Sequence, residues 1–78
     1  MRIFPRKFVL LGVTMRYIDN NNVAQATQFC VYWILESDLE YNLIERIHSA
    51  HKPDYPIPGN WRPVIESVTV LITKWRWA

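Results

Sequence analysis

Cysteine occurs once in the 78 residues, at Cys30, so the chain cannot close a disulfide on itself and a cysteine-based zinc site has no ligand set. A small oxidised secreted scaffold is thereby excluded, and a reducing, cytoplasmic setting is expected. Glycine occurs only twice, at Gly12 and Gly59, so no glycine-rich phosphate loop can be written anywhere. No apolar run approaches the ~20 residues that span a bilayer, so no membrane partner is expected. The longest such run, Phe8 to Val13 behind Arg6 and Lys7, is interrupted by Thr14 and Arg16 and lacks a small-residue cleavage site, so it reads as a strand and not as a secretion signal. Charge of one sign is scarce too. Nine Lys and Arg against seven Asp and Glu leave +2, too mild a balance to imply nucleic acid by itself.

Chemistry-bearing motifs are equally thin. Glu45, His48 and His51 follow at three-residue steps with Asp54 just beyond, but no further ligand presents itself, and histidines near a helix C-terminus are explained by the dipole and the last carbonyls. No metal and no cofactor are expected. His48 and His51 as acid-base groups with Arg16, Arg46 or Arg62 as phosphate clamps would be the minimum kit of a small ribonuclease. Nothing in the sequence fixes their geometry, and no nucleophile motif or diagnostic carboxylate pair accompanies them. The protein is expected not to be an enzyme.

What is present is apolar and aromatic. Half the residues are hydrophobic and 14% aromatic, with four Trp and four Tyr, which argues for a packed fold and against disorder. Phe8 to Ile18 alternates, with Val9, Leu11, Val13, Met15 and Tyr17 forming a uniformly apolar set. Asp19-Asn20-Asn21-Asn22 then reads as a hairpin loop, because Asp and Asn bond their own main chain and tolerate left-handed backbone. A returning strand runs from about Val23 to Leu35. Ser37-Asp38-Leu39-Glu40 matches a capping box and predicts a helix start, followed by Leu39, Leu43, Ile44, Ile47 and Ala50 at helical spacing. Pro53 stops that helix, and Pro56, Pro58, Gly59 and Pro63 make residues 53 to 63 a long connection. Val64 to Trp75 alternates again, and this third strand ends at or near Trp77.

The expected fold is therefore a single α+β domain over residues 1–78. It has β-β-α-β order and a three-stranded antiparallel sheet with strand one central (order 2-1-3), one helix packing on one face. If the helix covers the Val9 and Val68 sides, the opposite face is expected to show Phe8, Leu10, Arg16, Cys30, Tyr32, Ile34, Leu71 and Trp75 among Thr14, Thr69 and Thr73. An exposed aromatic surface of this kind marks an interface, since Trp, Tyr and Arg dominate binding energy. The expected function is a non-enzymatic protein-protein interaction module, with Arg16, Tyr32, Trp61, Trp75, Arg76 and Trp77 as the protein-binding residues and a homodimer as one form of the interaction. No family is matched by any motif. In size and organisation the chain is similar, as a class, to the compact inhibitors that phages and mobile elements use against host or defence complexes. The alternative expectation is a single-stranded nucleic-acid binder, with Lys74-Trp75-Arg76-Trp77 interleaving cations and indoles. Against it, Phe29-Cys30-Val31-Tyr32-Trp33 lacks the glycines of an RNA-recognition motif.

Overall fold

The uninterrupted alternation of Phe8 to Ile18 extends one turn of pleat further back, so that β1 spans Pro5–Ile18 in the computed structural model, which describes residues 4–77. Residues 1–3 and 78, the ends of the expected domain, lie outside the described residues. β1 is flanked on both sides by antiparallel partners, β2 (Ala24–Leu35) and β3 (Arg62–Trp77), in the order β2-β1-β3. The central position suits β1 because its apolar set can be buried over its whole length. Val9, Leu11, Val13, Met15 and Tyr17 are all 1% exposed or less, and with Ile47 they form the core.

The hairpin loop works as its composition requires. The Asp19 carboxylate accepts from the backbone N–H of Asn21 (2.8 Å) and Val23 (3.0 Å) and from Gln25 Nε2 (2.7 Å), and Asn22 takes the left-handed backbone with φ 61°. The Val23 amide is the main reason the Asp19 carboxyl titrates below its ordinary value.

The helix begins later than its sequence signal predicts. Glu36–Glu40 forms a short 3-10 turn with no side-chain cap, Asn42 adopts φ 49°, and only then does α1 run over Leu43–Ala50. The capping box therefore does not cap an α-helix. Asp38 instead binds Arg46 of α1 at 2.9 Å, so the acidic residue staples the 3-10 turn to the helix across the kink. Leu39, Leu43 and Ile47 face the sheet, whereas Ile44 and Ala50 do not and stay exposed. Two turns of helix cover little of so long a sheet. Principal extents of 54 × 21 × 20 Å and a radius of gyration of 15.3 Å describe a ribbon. A compact chain of this length would have a radius of about 11.5 Å. Among the described residues, no helix is long and apolar enough to cross a membrane.

β3 departs from simple alternation. Its pairing with β1 slips between Thr14 and Met15 and again between Leu10 and Leu11, leaving Glu66 and Leu71 as extra residues. Each bulge switches which alternate set faces the core. Ile65, Val68, Val70 and Thr73 therefore share the helix side although they do not alternate in sequence. Pro63, expected in the connection, lies inside the strand opposite Tyr17, on the outer edge where a missing N–H is tolerated.

Candidate functional site

The pairing of β1 with β2 decides which side chains reach the uncovered face. Ile18 stands opposite Ala24 but Tyr17 stands opposite Ala26, so Gln25 is a bulge. Without that extra residue the register set at the loop would place Val31 opposite Leu11 and Phe29 opposite Val13, turning both into the core. With it, Tyr32 pairs with Leu11, Cys30 with Val13 and Ile34 with Val9. The expectation that Cys30, Tyr32 and Ile34 lie on the open face is therefore corrected, because a one-residue slip exchanges the two faces of a strand. Trp75 is corrected in the same way: it pairs with Lys7, on the helix side of β1, as does Thr73 with Val9.

The open face carries Phe29, Val31 and Trp33 from β2, beside Phe8, Leu10, Gly12 and Thr14 of β1 and Leu71 and Ile72 of β3. It is apolar and uncovered, with Phe29 62%, Trp33 52% and Ile72 54% exposed. Gly12 sits at its centre. A Cβ there would fall 2.8 Å from Cζ of Phe29 and 3.1 Å from Cδ1 of Leu71, so the missing side chain lets residues of both outer strands close over the central one. The result is one continuous apolar surface across three strands. Arg16 bounds it at one end, its guanidinium paired with the bulged Glu66. At the other end Phe8 and Trp33 line a shallow cleft with Lys74 and Arg76.

The six residues expected to bind protein divide three ways. Arg16 and Arg76 lie on the open face. Trp75 and Trp77 lie on the helix side but beyond the helix, 63% and 73% exposed, with Lys7 Nζ 5.8 Å from the Trp75 ring and Lys7 in turn 2.9 Å from Glu36. Tyr32 and Trp61 pack against the core, Trp61 closing the connection over it through a backbone bond to Pro58.

A second constellation lies on the covered face at the C-terminal end of α1. Both ring nitrogens of His51 meet phenols, Nε2 at Tyr17 and Nδ1 at Tyr32 (3.2 Å), with Cys30 Sγ 3.7 Å from Nδ1. Buried Gln28 completes the group. Its Nε2 donates to Cys30 Sγ and to the Lys52 carbonyl (both 3.1 Å), and its Oε1 accepts from the Asp54 N–H (3.1 Å) and the Tyr17 hydroxyl (3.3 Å). Burial is the leading cause of every shift here. It raises the Tyr17 phenol, pushes Tyr32 up to about 12 with help from Cys30, and lowers His51, which nearby His48 lowers further against a weaker pull from Asp54.

These groups are hydrogen-bonded to one another, and among the described residues no buried side-chain polar atom lacks a partner. The cluster thus anchors the start of the connection to β2 as a satisfied polar network. His51 is turned inward by it, away from exposed Glu45 and His48, so the three-residue steps do not converge on one point. Among the described residues no three His, Cys, Asp or Glu side chains group as metal ligands.

Gln28 went unnoticed in sequence because a lone amide in an alternating strand carries no signal until its face is known. Phe29, Val31 and Trp33 alternate along β2, and nothing local to the strand says which way that set faces. No protein-family model, no curated protein and no solved structure matches the chain.

Proposed function

We propose that the chain is a non-enzymatic protein-protein interaction module whose open sheet face is the binding surface. The observation that carries this reading is the continuous apolar surface formed by Phe29, Val31, Trp33, Leu71 and Ile72 over Gly12, with no layer above it among the described residues. Contiguous exposed apolar surface rimmed by charge is characteristic of interfaces, and the Arg16–Glu66 pair and Lys74 with Arg76 supply such a rim. The small core adds a physical motive. Burying this face against a partner would supply burial that two turns of helix cannot.

Self-association belongs to the same proposal. Its narrower forms are a cytoplasmic protein with Cys30 reduced, and a small inhibitor that works by occupying a surface of a host or defence complex. Affinity capture from the native cell extract tests the reading when the wild type is run beside Trp33→Ala and Leu71→Lys. A partner retained by the wild type and lost from both variants is expected. Equal retention by all three would place the binding surface elsewhere.

A second reading has one specific observation in its favour: Phe8 and Trp33 are flanked by Lys74 and Arg76 on the open face, an arrangement in which a base could stack and phosphates be neutralised. Affinity for single strands would then fall by about 0.7 log units per log unit of salt for each phosphate contacted. With a net charge of +2, binding no tighter than micromolar is expected at ~150 mM salt. Strong, salt-dependent quenching of tryptophan fluorescence by short DNA or RNA oligomers would favour this reading over protein binding.

A further inference from the structure

The two edges of the sheet are not equivalent. The outer edge of β3 carries Arg62, Pro63, Glu66, Lys74 and Arg76 and is interrupted by two bulges, all features that discourage another strand from pairing with it. The outer edge of β2 has none of the charged or proline guards. From Ala24 to Leu35 it contains no charged residue, no proline and no glycine, and after the Gln25 bulge it pairs with β1 without interruption from Ala26 to Leu35. Its second half, Phe29 to Leu35, is uncharged, β-branched and aromatic, the composition that pairs most readily with another strand. α1 does not seal this edge. A groove separates Asn42, Leu43 and Arg46 of the helix from Tyr32, Trp33 and Ile34.

We propose that two copies of the chain pair β2 to β2, antiparallel across a two-fold axis, to form one six-stranded sheet. A second copy is the occupant that the asymmetry favours. An unguarded edge paired with itself closes an isologous interface, and the only edges then left outside are two copies of guarded β3, so growth stops at the dimer. The pleat restricts the register. Residues directly opposite one another must project from the same face, so the central pair is a residue with its own copy. Over Ala26–Leu35 that is Cys30 with Cys30 or Val31 with Val31. Both helices then lie on one side, and the two apolar open faces merge on the other.

This inference rests on the self-association part of the functional reading but places that contact at the β2 edge instead of the open face, so it is independent of what the open face binds. Sedimentation at about 50 µM is expected to give twice the 9.3 kDa of one chain. Amide exchange compared at high and low protein concentration is expected to show added protection within Ala26–Leu35 and none along Arg62–Trp77. Val31→Lys brings two like charges together near the axis and should weaken the dimer at least tenfold, whereas Leu71→Lys, on β3, should leave it intact. A wild-type monomer at that concentration would overturn the proposal. So would concentration-dependent protection confined to β3, or a dimer abolished by Leu71→Lys, which would mean that the open faces and not the edges meet. Should Val31→Lys fail to fold, the exchange pattern of the wild type decides. Each of these failures leaves partner capture by the open face free to succeed.

Discussion

The two faces of β1 are built from adjacent residues of one strand, yet they have opposite fates. Val9, Leu11, Val13, Met15 and Tyr17 are sealed under α1 and the connection, while Phe8, Leu10 and Gly12 support an apolar surface that no other described residue covers. Hydrophobicity does not separate them between Phe8 and Gly12, where both faces are apolar before Thr14 and Arg16 turn the open one polar. Cover separates them. On the helix side Ile47 and Trp61 add to a layer, and Gln28 and His51 satisfy the polar groups that the layer buries. On the open side Gly12 leaves room for Phe29 of β2 and Leu71 of β3 to approach the central strand from either side. Two apolar faces of one strand thus need not share one fate, and among the described residues only one of them is covered.

The comparison breaks most sharply at Leu11. Leu11→Ala removes a fully buried side chain and should cost about 3 kcal/mol, a large part of the stability of a domain this small. Denaturant unfolding is expected to show most of the population unfolded or a midpoint greatly lowered. Tyr17→Phe keeps the packing but deletes the hydroxyl shared by His51 and Gln28. A loss of about 1 to 2 kcal/mol is expected by the same measurement, because buried Gln28 and part-buried His51 each lose a bond.

Trp33→Ala, on the other face, should move stability by less than ~1 kcal/mol, since the indole is half exposed, while abolishing partner capture. A large loss of stability there would show that the open face is covered within the chain's own assembly.

The smallest effect expected is one of pH, and it sharpens the role of the covered face. Burial holds His51 below its ordinary value in the folded state, so the unfolded chain takes up the proton first. Stability should therefore fall as pH drops through about 6.5 and level off below the folded value, while staying flat above pH ~7.5. The melting temperature followed from pH 7.5 to 5 should show this slope, and His51→Asn should lose it. Asp19 acts in a separate window. Its lowered value contributes stability that disappears only as the pH falls below about 4.

Much of the fold is legible locally. The alternation of β1, the Asp19–Asn22 loop and the sheet order follow from periodicity, turn chemistry and the topology of a chain that returns through a helix. The helix start was misleading because Ser37 and Glu40 satisfy a spacing rule without the backbone that rule assumes. Five residues of 3-10 turn and a left-handed Asn42 intervene before α1 begins. The composition of the open face is half legible. Arg16 lies on the open face as expected and Arg76 joins it there, but Tyr32 and Trp61 turn inward, Trp75 and Trp77 lie across the sheet, and Phe29, Val31 and Trp33 occupy the open face instead. One cause accounts for Tyr32 and its neighbours. The Gln25 bulge shifts the register by one residue, and in a strand of period two that exchanges the inside for the outside.

The sequence by itself determined the three strands, the order of the elements and the uniformly apolar set Val9, Leu11, Val13, Met15 and Tyr17 of the central strand, because those depend on residue type and on spacing within a few residues. Only the tertiary structure decided which alternate set of β2 and β3 joins which face of β1. It also decided that Gln28, Cys30, Tyr32 and His51 meet, and that β2 is the unguarded edge. Those are properties of pairing between strands. A bulge of one residue costs little locally yet reverses every side chain beyond it, so no rule confined to a single segment can anticipate the result.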